Sequence, residues 1–249
     1  MSKFFDKLKN IRLIRALVYA IVGSFYYPRL TMINKLKIEG TEHIKDLPKK
    51  NVLFISNHQT YFAEVITFLH IFCAVKWGKK NRLGFPSYLL YPFTRVYFVS
   101  AAETMKKNWI TRLFELAGSL SIKRTWNQGS KEVRQGLDPS DTRKIERALK
   151  SNWVITFPQG TTKPFAPGRK GIVFLIKQNK PIVIPIIVNG FNVAFDKKGL
   201  RLNKKGTLLS VKFKEPLPID YNAGNDDILE TVMLSIGQSL TQQETSTTS

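Results

Sequence analysis

The stretch Asn51-Val-Leu-Phe-Ile-Ser-Asn-His-Gln-Thr-Tyr-Phe-Ala-Glu64 constrains the fold more than any other, because an apolar run of strand length stops at Ser56-Asn57-His58 and a helical pattern follows. A strand that gives way at once to a helix places His58 at a strand's carboxyl end. In an open α/β sheet that edge is where ligands bind, since rigid strands hold accessible loops there. The same alternation runs on. Strands are expected at Lys35–Gly40, Val52–Ser56, Arg95–Ala101, Ser119–Ile122, Trp153–Phe157, Ile182–Val188 and Leu208–Phe213. Helical patterns fall at Thr60–Ala74, Asn108–Ala117, Thr142–Lys150, Gly171–Lys177 and Asp226–Leu240, with Thr60 and Asp138 as N-caps and Pro139 at a first helical position. Alternating strands and helices require crossover connections, hence an α/β fold with a largely parallel sheet flanked by helices. Pro185, inside one strand pattern, predicts an edge or a bulge.

At 249 residues the chain is long enough for one full core, and no internal repeat or Pro/Gly-rich linker divides it. Residues 35–240 therefore read as one domain, with 1–34 as an N-terminal segment and the polar 241–249 as a frayed tail. Residues 1–15 carry Lys3, Lys7, Lys9, Arg12 and Arg15, and Ala16–Tyr27 is then free of charge. That is short of the roughly 20 apolar residues a bilayer span needs. It fits either a signal peptide or an interfacial anchor, and Tyr26, Tyr27 and Arg29 favour the anchor. A buried amphipathic helix is the plain structural alternative. Leu83–Phe98, aromatic and with two prolines, reads equally as a membrane- or acyl-facing insertion and as an irregular core segment.

A net charge of +21 demands a polyanionic partner. The aromatic residues cluster with apolar neighbours rather than basic ones, and no recognition-helix or stacking signature accompanies the lysines. An anionic membrane surface is thus expected, and nucleic acid is not. Cys73 is the single cysteine, so no disulfide or Cys-rich metal site forms within the chain. His43, His58 and His70 lack metal-ligand spacing, so no metal is expected.

Three loops each follow an apolar strand and carry distinct polar groups: Asn57-His58 with Glu64, Lys123-Arg124, and Gln159-Gly160-Thr161-Thr162-Lys163. If their strands are parallel neighbours, the loops converge on one sheet edge. A neutral imidazole there removes a hydroxyl proton as the oxygen attacks a carbonyl, and a carboxylate behind it stabilises the imidazolium. Arg124 and Lys163 suit a phosphate, the first by paired hydrogen bonds and the second as a point charge.

Phe157-Pro-Gln-Gly-Thr161 resembles the F-P-E-G-T block of glycerolipid acyltransferases, the 1-acylglycerol-3-phosphate acyltransferase (PlsC-like) family. Ser56-Asn57-His58 resembles the start of its N-H-x4-D block. Gly118-Ser-Leu-Ser-Ile-Lys-Arg124 and Pro181-Ile-Val-Ile-Pro185 resemble its second and fourth blocks, and all four fall in the family's order. The resemblance implies acyl transfer from acyl-CoA or acyl carrier protein to the free hydroxyl of a lysophospholipid, with no tightly bound cofactor. His58 would be the general base. Asn57, Lys123, Arg124, Gln159, Gly160, Thr161 and Lys163 would bind the phosphorylated acceptor. It also implies a retained N-terminal anchor and a peripheral or monotopic place on the cytoplasmic face of the membrane.

Two departures stand out. The family's aspartate position holds Ala63, with Glu64 next to it, and one residue along a helix is a rotation of about 100°. Glu64 takes the orienting role if the turn has one extra residue or if the longer side chain reaches back. Gln159 replaces the family's glutamate, and the cation after Thr161 is displaced to Lys163. These leave room for an acceptor such as an acylated amino-acid lipid, or for a lipid-binding or scaffolding protein without catalysis.

Overall fold

Val52, Leu53, Phe54 and Ile55 are all fully buried, as a strand covered on both faces requires. In the computed structural model of the chain, which describes residues 12–102, 109–122 and 139–239, they form β2 (Val52–Ser56) inside a seven-stranded sheet. The other strands are β1 (Lys35–Glu39), β3 (Val96–Ala101), β4 (Ser119–Ile122), β5 (Trp153–Thr156), β6 (Ile182–Asn189) and β7 (Leu208–Phe213), in the order β1-β7-β6-β2-β5-β3-β4. The five strands from β6 to β4 are parallel, as is β1 with β7, and among the described strands only the β6–β7 pairing is antiparallel.

Helices cover both faces. Phe54 and Val52 face a core shared with α1 (Arg12–Thr31), α3 (Ala63–Lys76) and α4 (Trp109–Leu116). Leu53 and Ile55 point the other way, into a core with α5 (Pro139–Leu149), α6 (Gly171–Asn179) and α8 (Asn225–Ser235). Alternate residues of one strand thus supply both cores, the period-two rule of a pleated strand. Two short helices, α2 (Glu42–Lys45) and α7 (Phe191–Ala194), complete the described elements.

Pro185 corrects one expectation. It lies in β6, an interior strand between β7 and β2, not at an edge. Its carbonyl accepts Lys214 N at 2.9 Å on the β7 side, just past the last β6–β7 pair, Ile186 with Phe213. The missing N–H falls on that same side, past the end of the β6–β7 ladder, so the pairing of β6 with β2 keeps its hydrogen bonds. The Leu83–Phe98 stretch is partly core and partly exposed. It carries a 3-10 turn at Pro86–Leu89 whose Tyr88 and Leu89 are buried beside α1, while Phe85, Leu90 and Tyr91 are exposed.

The helix α1 is packed along one face. Val18, Tyr19, Tyr26 and Leu30 of α1 enter the core, the Tyr19 hydroxyl donates to Ala117 O, and the Tyr26 hydroxyl donates to Gly199 O. The opposite face leaves Leu13, Leu17, Ile21 and Phe25 exposed at four-residue steps, one stripe along the helix. Among the described residues, no helix is long and apolar enough to cross a membrane.

Candidate active site

β2 ends at Ser56, and the turn after it is locked from two sides. The Asn57 side chain donates to Val188 O and accepts Val188 N, both at 2.8 Å, which clamps the end of β2 to β6. Gln59 Oε1 accepts Phe191 N at 2.9 Å, tying the next residue but one to the segment after β6. Between these ties stands His58, its ring stacked on Phe157 with centroids 3.8 Å apart. Phe157 follows β5, the strand beside β2, so the pairing of β2 with β5 brings the two loops together.

Glu64 sits in the first turn of α3 and is fully buried, yet none of its capacity is wasted. Its Oε1 accepts Gln59 N at 2.5 Å and Thr60 N at 2.6 Å, and its Oε2 accepts the Thr60 hydroxyl at 2.5 Å. Thr60 Oγ1 in turn accepts Ala63 N at 3.2 Å, a reciprocal cap like the capping box. Thr60 is the N-cap the sequence predicts, but α3 begins three residues later, at Ala63, with Phe62 in the cap position, so Thr60 holds the turn before the helix instead. This folded-back turn aims the carboxylate at the imidazole: Glu64 Oε1 lies 3.7 Å from His58 Nδ1. Nδ1 is buried and has no hydrogen-bond partner, and the His58 side chain keeps 12% of its surface exposed. The contact is too long for a hydrogen bond.

The loop after β5 is built around Gly160. Its φ is +62°, which favours glycine, and a Cβ there would lie 2.6 Å from Arg169 Nε, so a side chain would have to push that guanidinium aside. Arg169 Nε donates to Gln159 O at 3.2 Å, which places a guanidinium against the loop. Reading the sequence missed Arg169, although the basic Gly168-Arg169-Lys170 run beyond the loop was a usable signal. Gln159 is buried, and its amide nitrogen donates to Ala166 O at 3.0 Å and Gln238 Oε1 at 3.1 Å. An ionised carboxylate cannot donate to the Ala166 carbonyl, so an amide suits this position. Thr161 Oγ1 accepts Lys163 N at 3.3 Å, and the Lys163 side chain is exposed.

Lys123 and Arg124 lie outside the described residues. β4, which leads into them, runs parallel to β2 and β5 and ends on the same sheet edge. It stands three strands from β2, about 14 Å at about 4.8 Å per strand. The structure thus brings His58, Glu64 and the 157–163 loop into contact, with the β4 end further along the same edge. Among the described residues, no group of three His, Cys, Asp or Glu side chains could hold a metal.

An apolar cavity of about 330 Å³ lies between α1, α3 and α4, lined by Val22, Gly23, Ile66, Leu69, Phe114 and Leu200 among others. His70 also lines it, buried, with Nδ1 2.9 Å from the Tyr88 hydroxyl. Burial pushes the His70 pKa down to about 4, only partly countered by the Gly23 carbonyl. The unfolded chain binds a proton below its ordinary value of 6.5, which the folded chain refuses until about pH 4. Stability is therefore full above that window and falls as pH drops through it, by about 3 kcal/mol at the acid end. Urea unfolding at neutral pH and near pH 4 should show this increment in the parent chain. It should be missing in His70→Phe.

A model of the acyltransferase family, described simply as acyltransferase, matches residues 35–189, well over half of the chain. The chain belongs to the acyltransferase family. The matched span carries His58, Glu64 and the 157–163 loop, so the family expectation drawn from the four sequence blocks is met. Among solved structures, this acyltransferase is similar to the 1-acyl-sn-glycerophosphate (LPA) acyltransferase PlsC from Thermotoga maritima. Identity is 13% and the TM-score 0.49, over 96% of this chain and 81% of that one. No curated protein matches it.

Proposed function

We propose that this acyltransferase moves a fatty acyl group from a thioester, acyl-CoA or acyl carrier protein, to the free hydroxyl of a lysophospholipid such as 1-acylglycerol-3-phosphate. The observation that carries the proposal is the buried Glu64 carboxylate 3.7 Å behind an unpaired His58 Nδ1, on a sheet edge next to a glycine loop and its arginine. In the proposed step His58 Nε2 takes the acceptor's hydroxyl proton as the oxygen attacks the thioester carbonyl. The imidazolium then stands beside Glu64. Collapse of the tetrahedral intermediate breaks the C–S bond, and the thiolate leaves with the proton from His58. No nucleophilic side chain and no bound cofactor is needed.

Lys123, Arg124, Lys163 and Arg169 supply fixed positive charge for the acceptor's phosphate, and Gly160 and Thr161 let it approach the backbone. Asn57 and Gln159 serve this site through the turns they hold, since their amides are bonded to Val188, Ala166 and Gln238. The exposed stripe of α1 rests on the membrane as a peripheral or monotopic contact on the cytoplasmic face. The cavity behind it holds an acyl chain. Gly23 lines that cavity, and a Cβ there would come within 2.8 Å of Leu89 Cδ2. Gly23→Val should therefore lower turnover of long-chain donors at least fivefold relative to short-chain ones, read as the ratio of kcat/KM across a donor series. An unchanged ratio removes the chain from this cavity.

The function is tested with the purified full chain, a labelled acyl-CoA or acyl carrier protein, and lysophosphatidate. Acceptor-dependent release of thiol together with a new ester supports it. Tight lipid binding without turnover favours the scaffolding alternative, and turnover on an acylated amino-acid lipid alone redirects the acceptor.

A further inference from the structure

The segment Asp196–Lys205, between α7 and β7, carries Lys197, Lys198, Arg201, Lys204 and Lys205 against one carboxylate, Asp196. All five cations are exposed, and none is paired with a carboxylate among the described residues. The carboxylate is used by the loop itself: Asp196 Oδ1 accepts Leu200 N at 2.8 Å and Arg201 N at 3.1 Å. Asp196 N also donates to Arg201 O at 2.9 Å, and Phe195 bridges Leu202. The charge is therefore displayed on a preformed turn, and no local anion neutralises it.

Its position gives the charge a purpose. Tyr61 N donates to Lys197 O at 3.0 Å and Phe62 N to Lys198 O at 3.1 Å, so the loop is fastened to the turn that follows His58. Gly199 lies against that turn, where a Cβ would sit 2.6 Å from Ala63 N and from Thr60 Oγ1. On its other side the loop meets the carboxyl end of α1. Gly199 O accepts the Tyr26 hydroxyl at 2.7 Å, and Gly206 N donates to Ile33 O at 2.9 Å. Phe25, which ends the exposed apolar stripe of α1, and Met32 just beyond the helix are both open to solvent. Apolar side chains thus run along α1 toward a basic turn, an arrangement suited to acyl chains and anionic headgroups in one interface.

We propose that the 197–205 loop is a headgroup-binding element that docks this enzyme on anionic bilayers and, through its bonds to Tyr61 and Phe62, holds the His58 turn at the lipid surface. This rests on the membrane contact proposed for α1 but adds a separate, electrostatic part. The full chain is sedimented with vesicles of phosphatidylcholine alone and with phosphatidylglycerol added. Binding should be stronger on the anionic vesicles, and the difference should fade with salt. Lys197→Gln with Lys198→Gln should weaken anionic-vesicle binding about 25-fold, about fivefold per cation. Binding to neutral vesicles should not change. The α1 pair Leu17→Glu with Phe25→Glu should abolish binding to neutral vesicles, and if it does not, the α1 contact fails while the loop is still judged by the anionic difference.

Arg143→Gln on α5 with Lys150→Gln just after it, across the sheet, removes equal charge and should leave binding within about twofold of the parent. An equal loss there would mean that net charge alone drives binding and would overturn the proposal. So would a Lys197/Lys198 variant that binds vesicles normally but shows a raised KM for a monomeric, short-chain lysophosphatidate, since the loop would then serve the substrate.

Discussion

His58→Ala should reduce acyl transfer by about 10²–10⁴-fold, the range a positioned general base contributes. The loss belongs in kcat. His58 is stacked on Phe157 and makes no hydrogen bond through its buried Nδ1, so its removal takes away one ring contact and no polar tie. The turn remains held by Asn57 to Val188 and by Gln59 to Phe191. The variant should therefore fold, with a melting temperature within a few degrees of the parent, and should still bind lysophospholipid. Stopped or steady-state assays of thiol release, paired with a lipid-binding measurement, separate the two quantities. Retained turnover would show that the acceptor hydroxyl is activated elsewhere.

Glu64→Gln should produce the next largest effect. The amide oxygen can still accept Gln59 N and Thr60 N, so the turn persists. What disappears is the charge behind the imidazole. At 3.7 Å from Nδ1, a full charge stabilises an imidazolium by up to about 4 kcal/mol at an effective dielectric of about 20, before solvent and protein relaxation. A fall of about 10²-fold in kcat is expected, with acceptor KM changed by less than about threefold. Glu64→Ala behaves differently. It leaves buried donors at Gln59 and Thr60 unpaired, each costing about 1–3 kcal/mol, so it should lower both the melting temperature and the activity. Full activity in Glu64→Gln would reduce this residue to a helix cap.

Much of the scaffold was legible because apolar runs of strand length are bounded by polar or glycine residues. β2, β4 and β7 have the boundaries the sequence predicts, and β5 differs by one residue. Lateral order was not legible, since it depends on which strand each crossover returns to. That is why β4 lies two strands beyond β5, and why Pro185 sits in an interior strand without harm. Helix starts shifted for a local reason. The Thr60–Glu64 bonds hold residues 59–62 as a turn, which delays α3 to Ala63 and carries the Glu64 carboxylate back toward His58.

At the displaced acid, Ala63 is buried and opens the helix, and the carboxylate of the neighbouring Glu64 lies 3.7 Å from the imidazole. Gln159 was readable as a retained hydrogen bonder, but its partner Gln238 lies 79 positions away and no local pattern links them. The same holds for the cavity, whose walls come from α1, α3 and α4 and exist only once the helices are packed.

The most direct measurement is a structure of this acyltransferase with a lysophospholipid acceptor bound. The acceptor's free hydroxyl oxygen should lie roughly 2.6–3.2 Å from His58 Nε2. Nδ1 should close on Glu64 from 3.7 Å to hydrogen-bond distance, and the phosphate should rest near the 157–163 loop. An acceptor seated at another sheet edge, or a hydroxyl separated from the imidazole by more than one water, would contradict the account.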